Sequence, residues 1–449
     1  MKRQPRFSRN TVTLVLYASL GCLQCICSTN KLAASDRIAV SDMKNNRVLI
    51  FDTPLAKNER ASVVLGQADF VHGSPNRGGD PAADTLKMPM GLTKDSSGNL
   101  YVADLGNCRV LQFRPPFTSG MNASLIIQDP GFASASCNTD SLDFPLRVKG
   151  LVVPDSVAVD NGGNLFVVDT ISSRVLEYSP PFSSAMVPKL VLGQSTAVNP
   201  SVFGCVNHLR DDDATARTLC GPEGIAFDSE GNLWVADSGD NRVLEFVPPF
   251  FPGMAARLEV GQPAETAFTS TLSHPRQCGQ GSGRDDPDSP ENENLCPAGR
   301  ESPSGESLYS PCSLAFDAGG NLWVADGYNG RILEFVPPFS NGMAAATVVG
   351  EEDFRHRSFG GQTLQAISAN TLTDGTDLAF DASGNLLVVD HLEHRVLIFN
   401  PPIRSAMPAA SVLGSADFTD TNLTPDGRYI PHRGIAANLF NQPIHLVVF

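Results

Sequence analysis

Two sets of residues in this sequence have types and spacings that could do chemistry. The first is an Asp followed five positions later by an Arg: Asp42 and Arg47, Asp104 and Arg109, Asp169 and Arg174, Asp237 and Arg242, Asp326 and Arg331, Asp390 and Arg395. Across a tight turn, a planar guanidinium can grip a carboxylate with two N–H donors. Every copy carries the same pair, so these read as structural ion pairs; a catalytic role would need asymmetry. The second set differs from copy to copy: Asp155, Glu223, Asp377 and His445, at corresponding places in successive repeats. Carboxylate oxygens of this kind favour Ca²⁺, and the added imidazole brings Zn²⁺ within reach. A solvated polar funnel is the plainer alternative. His391 and His394 fall close by in circular order. The acidic run from Arg284 to Glu293 lacks the spacing of a calcium loop and reads as solvated. No Gly-x-Ser-x-Gly, His-Glu-x-x-His or phosphate-loop motif is present, so no residue is assigned as catalytic and no cofactor beyond a channel metal is expected.

Positioning such residues requires a scaffold, and composition restricts which. A chain of 449 residues would make two or three ordinary domains unless it is built from repeats. Gly 39 and Pro 33 with 41% hydrophobic residues suit many short strands punctuated by turns rather than a disordered chain. The net charge of −15 repels phosphate backbones, so nucleic acid is not an expected partner.

The repeats are explicit. NLYVADLGNCRVLQFRPPF from Asn99, NLFVVDTISSRVLEYSPPF from Asn164, NLWVADSGDNRVLEFVPPF from Asn232, NLWVADGYNGRILEFVPPF from Asn321 and NLLVVDHLEHRVLIFNPPI from Asn385 align with a weaker copy from Arg37. Each copy holds four strand-length pieces, a to d; in the copy around Asn232 these are Gly224 to Asp228, Leu233 to Asp237, Arg242 to Val247 and Arg257 to Gly261. Six copies of four antiparallel strands predict an all-β, six-bladed β-propeller. The first copy lacks strand a, and the segment from Pro443 to Phe449 matches one, so the C-terminal strand is expected to complete blade one. The Pro-Pro-Phe or Pro-Pro-Ile after strand c, with a Met four residues on (Met121, Met186, Met254, Met343, Met407), reads as a structural turn in which Phe and Met pack together. A ring of apolar contacts for a partner is the competing reading.

The stretch GIAFDSEGNLWVADSGDNRVLEF resembles the NHL repeat, and VLGQADF and VLGSADF resemble segments of exported bacterial NHL-repeat proteins. The resemblance spans residues 36–449 and implies the propeller fold. It leaves function open, because similar proteins include RNA-binding propellers, ligand-sensing extracellular domains and a metal-dependent amidating lyase. The lyase carries its zinc on several channel histidines, whereas here His445 alone aligns to an inner strand.

Residues 1–35 read as a signal peptide and disordered leader: Lys2, Arg3, Arg6 and Arg9 precede a short apolar stretch from Thr11 to Cys27. Ser19-Leu20-Gly21-Cys22 approximates a lipidation box, and membrane attachment is expected only if that Cys is lipidated. Export to the periplasm, cell surface or medium suits the cysteines, of which Cys108, Cys137, Cys205, Cys220, Cys278 and Cys296 are disulfide candidates; three bridges and one free thiol are expected. The long d-to-a links and the b-to-c turns share one face of the ring, which is where recognition is expected. The resulting expectation is a monomeric, non-catalytic exported scaffold binding a protein, peptide or glycan. The alternative is a metal-dependent hydrolase or lyase at the channel mouth.

Overall fold

The computed structural model describes residues 36–55, 59–128, 151–184, 186–194, 214–264, 267–268, 303–356, 367–419 and 435–449, all within one compact unit. These residues form six four-stranded antiparallel sheets, the blades of a β-propeller. Blade four shows the plan: Gly224–Phe227, Leu233–Asp237, Arg242–Phe246 and Leu258–Val260, paired in chain order. The inner strands of blades two, three, five and six are Pro89–Lys94, Pro154–Val159, Pro311–Phe316 and Gly375–Phe380. Among the described residues, helical structure is limited to short 3-10 turns and no helix is long and apolar enough to cross a membrane.

Blade one closes the ring. Its inner strand is Pro443–Val448, paired with Arg37–Asp42 in the register Ile38 to Val448, Ala39 to Val447 and Val40 to Leu446. Phe449 N–H donates to Arg37 O at 2.8 Å, and Phe449 packs edge-on against Phe117 of blade two. The last strand therefore lies between the first strand of its own blade and the inner strands on either side.

The core is divided among the interfaces. The described residues form six apolar clusters, each shared by adjacent blades. Between blades four and five, fully buried Trp234 meets Phe339 and Phe316 edge-on at 5.0 and 5.7 Å. Alternation puts Val235 and Trp234 on opposite faces of one strand, so each blade supplies apolar side chains to both neighbours. The Phe and Met of the c-to-d turns join these clusters, as Met254 and Phe250 do between blades three and four.

Strands end where side chains take over from the ladder. Asp228 Oδ1 accepts the N–H groups of Glu230 and Asn232, and Oδ2 accepts Asn232 Nδ2 and Trp234 Nε1, so the strand stops at Phe227 rather than Asp228. The same Asp and Asn close the a-to-b turn at Asp95 and Asn99, and at Asp317 and Asn321. Strand d stops at Val260 rather than Gly261, because Gly261 turns the chain at φ +98° and a β-carbon there would stand 2.6 Å from Leu308 Cγ. Strand c ends at Phe246 rather than Val247, just before prolines that have no N–H to donate.

All six Asp–Arg pairs form and are buried, with Arg Nε to Asp Oδ2 distances from 2.6 to 2.9 Å. Their reach exceeds the turn they bracket. Arg331 Nη2 donates to Ser304 O and Ser307 O, both at 2.9 Å, on the link entering blade five, and Nη1 donates at 2.6 Å to Phe354 O on the link leaving it. Arg47 does the same with Ala436 O and Leu439 O on one side and Phe70 O on the other. The Asp completes the clamp, since Asp42 Oδ1 accepts Asn441 N–H at 2.7 Å and Asp104 Oδ1 accepts Lys87 N–H at 2.7 Å. In blades one, five and six the pair thus fixes where the entering link ends and the leaving link begins.

Two expected outcomes follow. Deleting 443–449 removes the inner strand of blade one and lowers the melting temperature of the whole ring; unchanged calorimetric melting contradicts closure by that strand. Asp326→Asn strands the buried Arg331 guanidinium and lowers unfolding free energy by about 3–5 kcal/mol, read by urea titration.

Candidate functional site

The inner strands converge on the central channel, and their opening residues are the most variable in the fold. Those of blades one, two, three, five and six begin with an irregular register, at Pro443 to Leu446, Pro89 to Leu92, Pro154 to Val157, Pro311 to Ser313 and Gly375 to Asp377. Packing there is tight. A β-carbon on Gly91 would stand 2.5 Å from Asp155 O, and one on Gly224 would stand 2.6 Å from Cys312 O. Larger side chains at the equivalent places, Asp377 and His445, mark where the ring leaves room.

Blade-to-blade hydrogen bonds hold this mouth. Thr170 donates to Pro222 O at 2.8 Å, Ser238 to Pro311 O at 2.5 Å, and His391 Nδ1 donates to Pro443 O at 2.9 Å. In blades three, four and six the first residue after the strand-b Asp thus grips the start of the next inner strand. Burial keeps His391 below the usual imidazole range, consistent with a neutral ring in this structural role.

The four residues singled out from the sequence meet in the channel. His445, on blade one and 7% exposed, lies between Asp377 of blade six and Asp155 of blade three, with Nδ1 3.4 Å from Asp377 Oδ2 and Nε2 3.7 Å from Asp155 Oδ1. Asp377 is further held by the Ser313 hydroxyl of blade five and by Leu446 N–H at 2.7 Å. The Thr170 hydroxyl also lies 3.2 Å from Asp155 Oδ2, sharing its single hydrogen between that carboxylate and Pro222 O. Glu223, just before the inner strand of blade four, adds its charge to the same group.

Sequence reasoning missed a fifth member, Asp374, which immediately precedes the inner strand of blade six. Its signal was present: five inner strands open with Pro (Pro89, Pro154, Pro222, Pro311, Pro443), and the sixth has Gly375. It also missed an aromatic pair on the rim, Tyr309 and Tyr328, stacked at 4.9 Å and 17°. His394, by contrast, sits in the b-to-c turn of blade six with a left-handed backbone and is not part of the carboxylate group.

Burial and crowding set the protonation states. Glu223 is pushed up to about 8, first by burial and then by Asp155 and Asp374, with His445 opposing. Burial, with Asp390, raises Asp374 to about 7. Burial alone would lower His445, but Asp377 and Asp155 more than reverse this and raise it to about 10, which makes it an imidazolium at neutral pH. Burial likewise raises the Cys312 thiol, with the surrounding carboxylates adding to the effect. Cys312 is the free thiol among the described residues, while Cys137, Cys205, Cys278 and Cys296 lie outside them. No group of three or more His, Cys, Asp or Glu among the described residues stands in an arrangement that would hold a metal ion.

The profile of the NHL repeat matches residues 219–246, which run from the end of the link through strand c of blade four. The chain is a six-bladed β-propeller with one segment that matches the NHL repeat. No curated protein matches its sequence. A putative 6-phosphogluconolactonase from Bacteroides uniformis is 13% identical at a TM-score of 0.44, covering 93% of this chain and 99% of that chain. A nidogen/laminin complex is 12% identical at a TM-score of 0.42, covering 92% and 98%. A virginiamycin B lyase from Staphylococcus aureus is 10% identical at a TM-score of 0.35, covering 70% and 67%. At these identities no activity is carried over to this chain.

The raised Glu223 gives a signed expectation. A carboxyl that keeps its proton in the fold but loses it on unfolding makes stability fall as pH rises from about 4.5 to about 8. Glu223→Gln escapes this penalty. Urea titrations are expected to show equal stability at pH 4 and the variant more stable at pH 9 by about 1–3 kcal/mol; equality at pH 9 would mean that Glu223 is freely hydrated.

Proposed function

We propose that this NHL propeller is an exported, non-catalytic scaffold that binds a protein, peptide or glycan with the face bearing its links. One observation carries the reading: the Asp–Arg clamps bring both ends of the links to the face on which the polar channel mouth opens. Loops with fixed feet around a central polar opening make a preformed recognition surface, and a rigid frame suits binding because little ordering is required on contact. Residues 1–35 supply the export signal in this proposal, with lipidation at Cys22 as the route to a membrane. Disulfides among Cys108, Cys137, Cys205, Cys220, Cys278 and Cys296 stiffen the links in this reading, and a bridge closing the segment from Cys205 to Cys220 would contribute about 3 kcal/mol. The protein acts as a monomer.

The competing reading is a metal-dependent hydrolase or lyase at the channel mouth. The convergence of Asp155, Glu223, Asp377 and His445 favours it, and the pairing of both His445 nitrogens with carboxylates opposes it, since an imidazolium has no lone pair for Ca²⁺ or Zn²⁺.

Peptide and glycan arrays probed with the purified chain separate the two. Binding is expected, and replacing 269–302 by a short linker should abolish or redirect it without lowering the melting temperature. Elemental analysis showing a stoichiometric metal, together with turnover of an amide or ester and silent arrays, would replace the scaffold reading with the enzyme. Fusing residues 1–35 to a reporter active only outside the cytoplasm tests export.

A further inference from the structure

Beyond the link face, we propose that the ring carries a second binding site, an apolar socket on its outer circumference between blades six and one, which takes a peptide turn that presents a methionine just after a small polar residue.

Five of the six interfaces supply such a turn themselves. Met121, Met186, Met254, Met343 and Met407, each from the c-to-d turn of one blade, pack into the apolar cluster shared with the blade before it. At three interfaces the same turn also caps the outer edge of strand d. Ser119 Oγ accepts Val64 N–H at 3.1 Å, and Gly120 N–H donates to Val64 O at 2.9 Å. Ser405 and Ala406 repeat both bonds on Val348, each at 3.1 Å, and Asn341 Oδ1 accepts Glu259 N–H at 3.0 Å. A serine or asparagine two residues before the Met thus satisfies the strand's N–H, and the Met anchors the turn in the cluster.

The sixth interface lacks this plug. The turn of blade one reads Leu55-Ala56-Lys57-Asn58-Glu59. Glu59 stands where the Met is elsewhere, Leu55 stands where Phe or Ile is, and Lys57, in place of the serine or asparagine, has a side chain with donors only. The cluster between blades six and one accordingly contains no methionine among the described residues. In strand d of blade six, Ser411–Leu413, the counterpart of Val64 and Val348 is Val412. Among the described residues no group caps its outward N–H and C=O.

A cavity of about 250 Å³ opens at that place, lined by Leu55, Ile398, Val412, Leu413, Ala416 and Phe418. Leu55, Ile398 and Leu413 also belong to the cluster between the two blades, so the cavity continues the interface already formed there. Apolar walls gain by excluding water, and an open strand edge is a template for another backbone. The other interfaces specify what meets both demands: an unbranched apolar chain such as a thioether for the socket, a hydroxyl or amide oxygen for Val412 N–H, and a backbone N–H for Val412 O.

The probe is the chain's own turn, a peptide of residues 337–344 with an amino-terminal fluorophore and an amidated end. It is added to the full chain and followed by fluorescence anisotropy and hydrogen exchange. Saturable binding that slows exchange across 410–418 is expected. Met343→Glu in the peptide should weaken binding about tenfold, for the loss of one buried apolar side chain, and this comparison needs no change in the protein. Leu55→Phe together with Glu59→Met in the protein rebuilds the internal plug and should abolish binding while raising the melting temperature. Equal binding of the Met343→Glu peptide, undiminished binding by the plugged protein, absence of protection across 410–418, or silence of the probe at millimolar concentration overturns the proposal. So do two rival occupants: a probe that binds only Leu32→Asp protein assigns the socket to the chain's own leader, and self-association abolished by the plugging pair assigns it to a second copy. Replacing 269–302 should leave probe binding intact, so the socket and the link face stand or fall separately.

Discussion

The guanidinium of the strand-c arginine is the constraint on which the remaining architecture hangs. Arg331 satisfies one carboxylate and three backbone carbonyls from two separate links, all in a buried setting. Lysine could not replace it, since a point charge with three mobile donors lacks the planar fork that reaches in these fixed directions. Blade four shows the requirement by exception. It lacks the Ala-Asp-Phe or Glu-Asp-Phe segment whose carbonyl accepts Nη1 elsewhere, and Glu259 occupies that side of Arg242 at 3.7 Å from a strand position that is apolar in the other blades. A buried acid in an outer strand would otherwise be out of place.

Stability and recognition are segregated in space. The interfaces between blades are apolar and repetitive, and the clamps are charged but fully paired. Only the inner mouth breaks the repeat, with carboxyl groups from blades three, four and six around the imidazolium of blade one. Glu223 and Asp374 are raised above the ordinary carboxyl range by burial and by neighbouring carboxyl groups, an arrangement that works against folding. Such local cost at one place in an otherwise consistent fold is a mark of selection for something other than stability.

The sequence was most legible where the repeat enforces one answer. The six Asp–Arg pairs, the four-stranded blades and the closing strand could all be read by aligning copies, because a role repeated six times leaves six correlated traces. The convergence of Asp155, Glu223, Asp377 and His445 followed from the same alignment. What lay beyond it were features that belong to one copy. Asp374 was counted with the link because the missing proline beside it was not weighed, and the stacking of Tyr309 on Tyr328 depends on a contact between the link and a turn 19 positions on. The second reach of each arginine was hidden for another reason: its acceptors are backbone carbonyls, which every residue has and no sequence pattern advertises.

Because a link such as that from blade five to blade six starts on the arginine of one blade, Arg331 at Phe354 O, and ends on the arginine of the next, Arg395 at Thr371 O, the intervening chain is a loop between two fixed points whose length hardly matters to the frame. Successive strand-b aspartates lie 62 residues apart from blade one to blade two and 89 apart from blade four to blade five, yet both blades at the longer gap keep the buried Asp–Arg pair. Doubling a flexible loop costs only about 0.6 kcal/mol in closure entropy. Sequence between the feet can therefore be inserted, exchanged or diversified almost without regard to folding, which makes this ring a natural display platform and the six arginines its docking collars.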